Sequence, residues 1–189
     1  MIYYTANLHI GHANIIQHCQ RPFSSVEEMN RTLLQNWNKV IHRDDAVYVL
    51  GDLFFRNTVP ADEYLKQMKG KKHLLIGNHD SSWMKKVELS KYFESVSHMQ
   101  EIIDGSHHLT LCHYPMMSWN ACNKGAFQVY GHIHNNRNDT YWPLLSTSEL
   151  SLNAGVDING FRPVTLQELI INNANYKEKY RMENCDGND

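Results

Sequence analysis

The sequence predicts an α/β fold in which two sheets pack on each other with helices outside. Three observations lead there. Short apolar runs of strand character end repeatedly at polar words containing His, Asp or Asn, and amphipathic helical stretches separate the first of those runs. Helices also fall mostly in the first half of the chain and strands in the second, which favours two packed sheets over one parallel sheet. At 189 residues, with 42% hydrophobic and 20% charged residues, the chain supports one well-filled core and reads as a single domain.

The strand-like runs are 2–5, 46–50, 73–76, 109–112 and 127–130. Between the first two, Ser25 and Glu28 form a capping box, and Val26, Met29, Leu33, Trp37 and Val40 follow helical spacing, so those large side chains belong to the core. Pro60 suits the first turn of a second helix carrying Tyr64, Leu65 and Met68, and a third helix covers about 82–89. Asp104-Gly105 separates the runs 99–103 and 108–112 and predicts a hairpin turn. Thr165 and Glu168 make another capping box, opening a short helix through Ile171. From Asn172 to Asp189 the chain is rich in Asn, Lys, Glu and Asp without a periodic apolar face, so a polar tail or a fraying helix is expected over 172–189.

Composition excludes several classes of function. Net charge is -2 and the pI is near 6.6, which argues against a protein that tracks nucleic-acid phosphates with a basic face. The cluster Lys66, Lys69, Lys71 and Lys72 reads as a solvated helix end and loop. No apolar run approaches the ~20 residues of a membrane helix, and the N-terminus leads straight into a strand. Cys19, Cys112, Cys122 and Cys185 have neither zinc-finger spacing nor disulfide-scaffold density, so reduced thiols in a cytoplasmic protein are expected.

The chemistry lies in the words that end the strands: Asn7-Leu8-His9, Gly51-Asp52, Gly77-Asn78-His79-Asp80, Cys112-His113-Tyr114-Pro115 and Gly131-His132-Ile133-His134. Imidazole suits zinc, iron and nickel, whereas carboxylate and carboxamide oxygens suit manganese and harder ions, so the mixed set suits a pair of borderline divalent metals. Two such ions, roughly 3.5 to 4 Å apart, activate water and clamp an in-line displacement at phosphorus. They need a carboxylate to bridge them. Asp52, after the apolar run 47–50 and a glycine, is the strong candidate. One isolated histidine is weak evidence for a ligand; the joint pattern singles out His9, His113, His132 and His134, while His18, His42, His73, His98, His107 and His108 read as ordinary surface or core residues. Asp44 and Asp45 read as a solvated turn.

These words, in this order, resemble the calcineurin-like metallophosphoesterases, and within them the small bacterial and phage phosphoesterases. The resemblance runs through Gly11-His12-Ala13-Asn14-Ile15-Ile16, Arg21-Pro22-Phe23, Trp119-Asn120 and Gly155-Val156-Asp157-Ile158-Asn159-Gly160 and covers about residues 1–171. It implies a four-layer α/β-β/α sandwich of two mixed sheets flanked by helices. It implies a first metal held by the position of Asn7, His9, His134 and Asp52, and a second held by Asp52, Asn78, His113 and His132. The ions would be manganese, iron, zinc or nickel, with manganese favoured. His79 would contact the phosphate and protonate the leaving oxygen, with Asp80 orienting its ring. The implied activity is hydrolysis of a small, nucleotide-type phosphodiester or phosphomonoester by a metal-bridging hydroxide, since coordination lowers the pKa of water by several units.

His12 and Asn14, just beyond His9 in a glycine-bearing loop, are candidate substrate contacts. Arg21 either binds a phosphate bidentately or staples its loop to a carboxylate, and Trp119 either walls the pocket or packs the hairpin. One position departs from the family pattern, which has Asp-x-His where this chain has Asn7-Leu8-His9. An amide offers a metal only a neutral carbonyl oxygen, so the first site is expected to hold its ion weakly and activity to be reduced. The alternative to a hydrolase is an impaired pseudo-enzyme that keeps the sandwich as a binding scaffold.

Overall fold

The structure is a computed structural model and describes residues 1–55 and 59–185. In chain order the elements are β1 (Ile2–Thr5), α1 (Ile15–His18), α2 (Val26–Val40), β2 (Ala46–Val49), α3 (Ala61–Leu65), β3 (Lys71–Leu75), α4 (Ser81–Met84), β4 (Phe93–Ser97), β5 (Met99–Asp104), β6 (His107–Cys112), β7 (Phe127–Tyr130), α5 (Trp142–Thr147), β8 (Ser151–Asn153) and α6 (Leu166–Cys185). They form two four-stranded sheets, β1-β2-β3-β4 and β5-β6-β7-β8. The first ladder is parallel throughout, with an antiparallel bridge from Tyr4 to Val164 at its edge. The second is mixed, an antiparallel β5-β6 hairpin continued by parallel β7 and β8.

Alternation along the strands decides what each face covers. Tyr3, Val47, Val49 and Leu74 point outward onto Met29, Leu33 and Trp37 of α2, and all seven are buried. Their neighbours Tyr4, Tyr48, Leu50 and Leu75 point inward and meet Leu109, Leu111, Val129 and Leu152 of the second sheet. A sheet buried on both faces must be apolar on both, which is why the runs lack a polar alternate. On the far side Tyr130 packs with Trp142 and Leu145, and with Tyr176 and Tyr180 of α6. The four-layer sandwich is therefore present.

Both capping residues work, though not identically. Thr165 and Glu168 close reciprocally, Thr165 N donating to Oε2 at 2.9 Å and Glu168 N to Oγ1 at 3.4 Å. Ser25 Oγ accepts from Glu28 N at 3.2 Å, but the Glu28 carboxylate reaches one residue further back, to Ser24 N at 2.8 Å. The predicted helix over 82–89 is a single turn, α4, after which the backbone tightens into shorter bonds such as Lys86 N to Trp83 O at 2.9 Å.

Residue 171 is no boundary. α6 runs on to Cys185 along the edge strands β1 and β8 of both sheets, so the expected polar tail is corrected to a packed helix as far as 185; residues 186–189 lie outside the described residues. The apolar period fails because polar side chains take its place. Asn173 Oδ1 accepts from Asn153 N at 2.8 Å, its Nδ2 donates to Asn153 O at 3.0 Å, and Lys177 Nζ donates to the carbonyls of Ser148 and Ser151 at 2.7 Å each. These groups satisfy the open edge of β8, a task an apolar face cannot perform. No helix among the described residues is long and apolar enough to cross a membrane.

Candidate metal centre

Parallel strands put their C-terminal ends at one rim, and the words found in the sequence all lie there: 7–9 after β1, 51–52 after β2, 77–80 after β3, 113 after β6, 131–134 after β7 and 155–157 after β8. Backbone bonds lace the loops together. Asn7 N donates to Gly51 O at 3.0 Å, His9 N to Asp52 O at 2.9 Å and Gly131 N to His113 O at 2.9 Å. Two glycines permit this closeness, since a Cβ at Gly77 would strike Asp52 Oδ1 and one at Gly51, where φ is +79°, would strike His113 Nδ1.

Asn7, His9, Asp52, His132 and His134 all adopt left-handed backbone conformations, with φ of 57°, 50°, 56°, 64° and 52°. Each such residue costs on the order of 1–3 kcal/mol, and the cost persists where the surroundings demand a particular aim of the side chain. Five of the seven candidate ligands share this strain, so their directions are imposed by the fold rather than chosen by the local chain.

Asp52 is the hub. Its Oδ2 lies 3.5 Å from His9 Nε2 and 3.5 Å from His113 Nε2, with all three side chains at most 2% exposed. Asn78 Oδ1 lies 3.0 Å from His113 Nε2 and 3.1 Å from His132 Nδ1. The His9 and His134 rings stack at 4.9 Å. The donors thus fall on two sides of one carboxylate.

Hydrogen bonds set the tautomers. His113 Nδ1 donates to the Leu50 carbonyl at 2.7 Å, so in the neutral ring Nε2 is a lone pair facing the oxygens of Asn78 and Asp52. Three lone pairs converge with only a proton or a cation to share. Donors around one ion at about 2.1 Å stand about 3.0 Å apart in an octahedron and about 3.4 Å in a tetrahedron. The observed separations of 3.0 to 3.5 Å match that spacing. On the other side both ring nitrogens of His9 are buried without a hydrogen-bond partner among the described residues. Burial, helped by His134 and Arg21, pushes His9 far below its ordinary range, and burial with His113 lowers His132, so both favour the neutral form, which has a lone pair to offer.

The remaining candidates divide. His79 is exposed, its ring 5.5 Å from that of His9, and its backbone N–H donates to Asp52 Oδ1 at 2.9 Å. His12 lines the same cleft and accepts Ile15 N at Nδ1, which leaves Nε2–H as a donor. Asn14 caps α1 through its backbone and is exposed away from the cleft lining, so it is not brought to the site. Of its two readings, Arg21 takes the staple and not the substrate contact: it is buried, and its guanidinium binds Asp157 Oδ1 at 2.8 Å and the carbonyls of Asn7 at 2.7 Å and Leu8 at 2.9 Å. Asp80 does not orient His79. Its carboxylate accepts from Asp52 N, Leu53 N, Gly77 N and Trp83 Nε1 at 2.8 to 3.0 Å, so it is a tie between the loops of Asp52 and Asn78. Trp119 is half-buried, donates from Nε1 to Ala126 O ahead of β7 at 2.8 Å and does not line the cleft.

Asp157 had no role in the sequence reading. Its Oδ2 accepts from His134 Nδ1 at 3.0 Å, which turns the Nε2 lone pair of His134 outward. Burial opposes ionisation of Asp157, but the His134 hydrogen bond and the Arg21 charge outweigh it and hold the carboxyl below its ordinary range. Cys19, His134 and Asp157 also bring ligand atoms within 4.8 Å of one another. That trio is ill suited to a cation, because both Asp157 oxygens are engaged and burial, with Asp157, pushes the Cys19 thiol up to about 12. The side of the centre bearing His9, His132 and His134 opens into a cleft of about 750 Å³ whose far wall includes Asn135, Arg137, Tyr141, Tyr176 and Lys179.

Fold and site define an α/β sandwich with an imidazole, carboxylate and carboxamide centre where the strands of both sheets end. No protein-family model matches the chain. It is 34% identical over 171 residues to the uncharacterized protein MJ1445 of Methanocaldococcus jannaschii, covering 89% of each, and belongs to the same family. The gene 66 protein of Mycobacterium phage L5 is 27% identical over 159 residues, 70% of this chain and 76% of the phage protein. The protein of unknown function AQ665 from Aquifex aeolicus superposes with a TM-score of 0.68 at 25% identity, covering 89% of this chain and 96% of the other.

Proposed function

We propose that the protein is a divalent-metal-dependent phosphoester hydrolase with its metal centre built on Asp52. The observation that carries this reading is the convergence of His113 Nε2, Asn78 Oδ1 and Asp52 Oδ2, three lone-pair donors with no hydrogen to share between them in the neutral ring. His132 completes that set. His9, His134 and the position of Asn7 line the opposite side of Asp52.

Divalent ions bound here, with manganese favoured over iron, zinc or nickel, would supply charge neutralisation at phosphorus and a water acidified for in-line attack. The chain supplies the rest. In this reading His79, exposed beside His9, would donate a proton to the leaving oxygen, and His12 Nε2–H would bind a phosphoryl oxygen. A cleft of about 750 Å³ falls in the range of small-molecule sites and suits a small phosphoester of nucleotide type, diester or monoester. Cys19, Cys112 and Cys122 are free thiols, in keeping with a cytoplasmic protein.

A scaffold without turnover is the second reading, favoured by Asn7 alone. Hydrolysis of bis(para-nitrophenyl) phosphate in manganese separates the two. We expect turnover by the wild type that rises in Asn7→Asp and is lost in Asp52→Ala; no turnover in either of the first two, with any of the four metals, would leave the scaffold.

A further inference from the structure

The position where the family pattern has Asp does more here than lose a charge. Asn7 is fully buried, and its Oδ1 accepts from the backbone N–H of His132 at 3.0 Å across 125 residues of sequence. Because a backbone N–H can only donate, the two ends of the amide are not interchangeable. The oxygen faces His132 and the NH2 takes the other place. That NH2 is buried and has no hydrogen-bond partner among the described residues. A carboxylate here would accept from His132 with one oxygen and keep the other for a cation; the amide presents a donor instead.

Charge points the same way. Among the candidate ligands only Asp52 is anionic, and it is shared, so two dications would bring four positive charges to one carboxylate. On the side of His113 the donors are already arranged, at 3.0, 3.1 and 3.5 Å from one to the next. On the side of His9 the shared Asp52 oxygen is the only charged donor among the candidate ligands, and the Asn7 oxygen already accepts one hydrogen bond.

We propose that this chain holds a single resident divalent ion, between Asp52, Asn78, His113 and His132, and that Asn7 serves as a brace on the His132 loop rather than as a ligand. The proposal rests on the metal-dependent reading above. It places the ion on one side of Asp52 and leaves His9 and His134 as imidazoles facing the cleft. Asn7 aims His132, whose own backbone is held at a φ of 64°.

Elemental analysis after dialysis against manganese or zinc, with electron paramagnetic resonance of the manganese form, tests this. One ion per chain is expected in the wild type, with the hyperfine pattern of an isolated manganese, against two ions and a spin-coupled signal in Asn7→Asp. His9→Ala should keep its ion and His113→Ala should lose it, which preserves the test should Asn7→Asp not fold. Two ions in the wild type, or loss of the ion from His9→Ala and not from His113→Ala, would overturn the single-ion centre and leave the hydrolase reading standing. No ion in any form would overturn both.

Discussion

Asp157 Oδ2 accepts from His134 Nδ1 at 3.0 Å while Arg21 Nε grips Oδ1 of the same carboxylate at 2.8 Å. A residue before α6 thereby aims an imidazole after β7 and is itself held by a guanidinium before α2. Arg21 also binds the carbonyls of Asn7 and Leu8, so one buried cation locks three of the loops that meet at the site.

Removing that carboxylate should be felt twice. Asp157→Ala leaves a buried guanidinium without its counter-charge, a loss of about 3–5 kcal/mol by analogy with broken buried pairs, read by urea unfolding. In the Asn7→Asp background, Asp157→Asn should weaken uptake of the ion near His134 by about 10–100-fold, because the tautomer is no longer enforced. Titration of that background with zinc against a chromophoric chelator decides it, and equal affinities would count against an orienting role.

Gly77→Ala should disable the centre without touching a ligand. The added Cβ meets Asp52 Oδ1 and Asp52 N, neither of which can retreat, because both are hydrogen-bonded, Oδ1 to His79 N and N to Asp80. Overpacking of this kind costs about 1–3 kcal/mol. Metal content should drop with stability, and full metal content in a folded Gly77→Ala chain would refute the argument.

Residue type and order make the meeting of these loops at one rim legible. The strands β1 and β7 match their predicted bounds, because apolar runs ending at Gly, His or Asn read clearly. What escaped depended on polar groups satisfied at a distance. β8 is short and polar, yet Ser151 and Asn153 are each 1% exposed, and its edge is closed by Asn173 and Lys177 from a segment expected to be a tail. Asp157 lies in the run Gly155-Val156-Asp157-Ile158, but its role depends on His134 facing it, which residue order does not reveal. Asp80 was misassigned because adjacency to His79 in sequence suggested contact, whereas its carboxylate points back to four N–H donors.

The helical reading of α6 predicts that ending the chain at residue 171 is strongly destabilising. Truncation exposes the β8 edge, removes the Tyr176 hydroxyl that donates to Asn135 O at 2.6 Å, and uncovers Trp142, which packs on Tyr176 at 5.5 Å. Burial of one large aromatic contributes about 3 kcal/mol, so several such losses exceed the margin of a domain this size. A cooperative, unshifted thermal transition in the truncated chain would contradict this.

Lys177 offers a test by pH. It is 6% exposed, and burial lowers its pKa from the ordinary 10.5 to about 8. The unfolded chain then binds more protons than the folded one between those values, so the folded state gains stability as pH rises through that window and carries the full burial penalty below it. The gain amounts to about 3 kcal/mol. Comparing urea unfolding of the wild type with Lys177→Met isolates the effect: the wild type should improve relative to the variant between pH 8 and 10, and a constant difference would rule it out.

His79 and Asp80 are adjacent, and their removal should have opposite signatures. His79 is exposed and anchored through its backbone N–H to Asp52 Oδ1, a bond that survives loss of the ring. His79→Ala should therefore leave folding and metal content unchanged while kcat falls by about 10²–10⁴, the span of general acid catalysis. Asp80→Ala strips the acceptor from Asp52 N, Leu53 N, Gly77 N and Trp83 Nε1, all buried. Each orphaned donor costs about 1–3 kcal/mol, so this variant should lose stability and metal together. Thermal unfolding and metal analysis of the two proteins side by side distinguish a proton donor from a tie. Loss of metal from His79→Ala, or a stable, metal-loaded Asp80→Ala, would reverse the assignment.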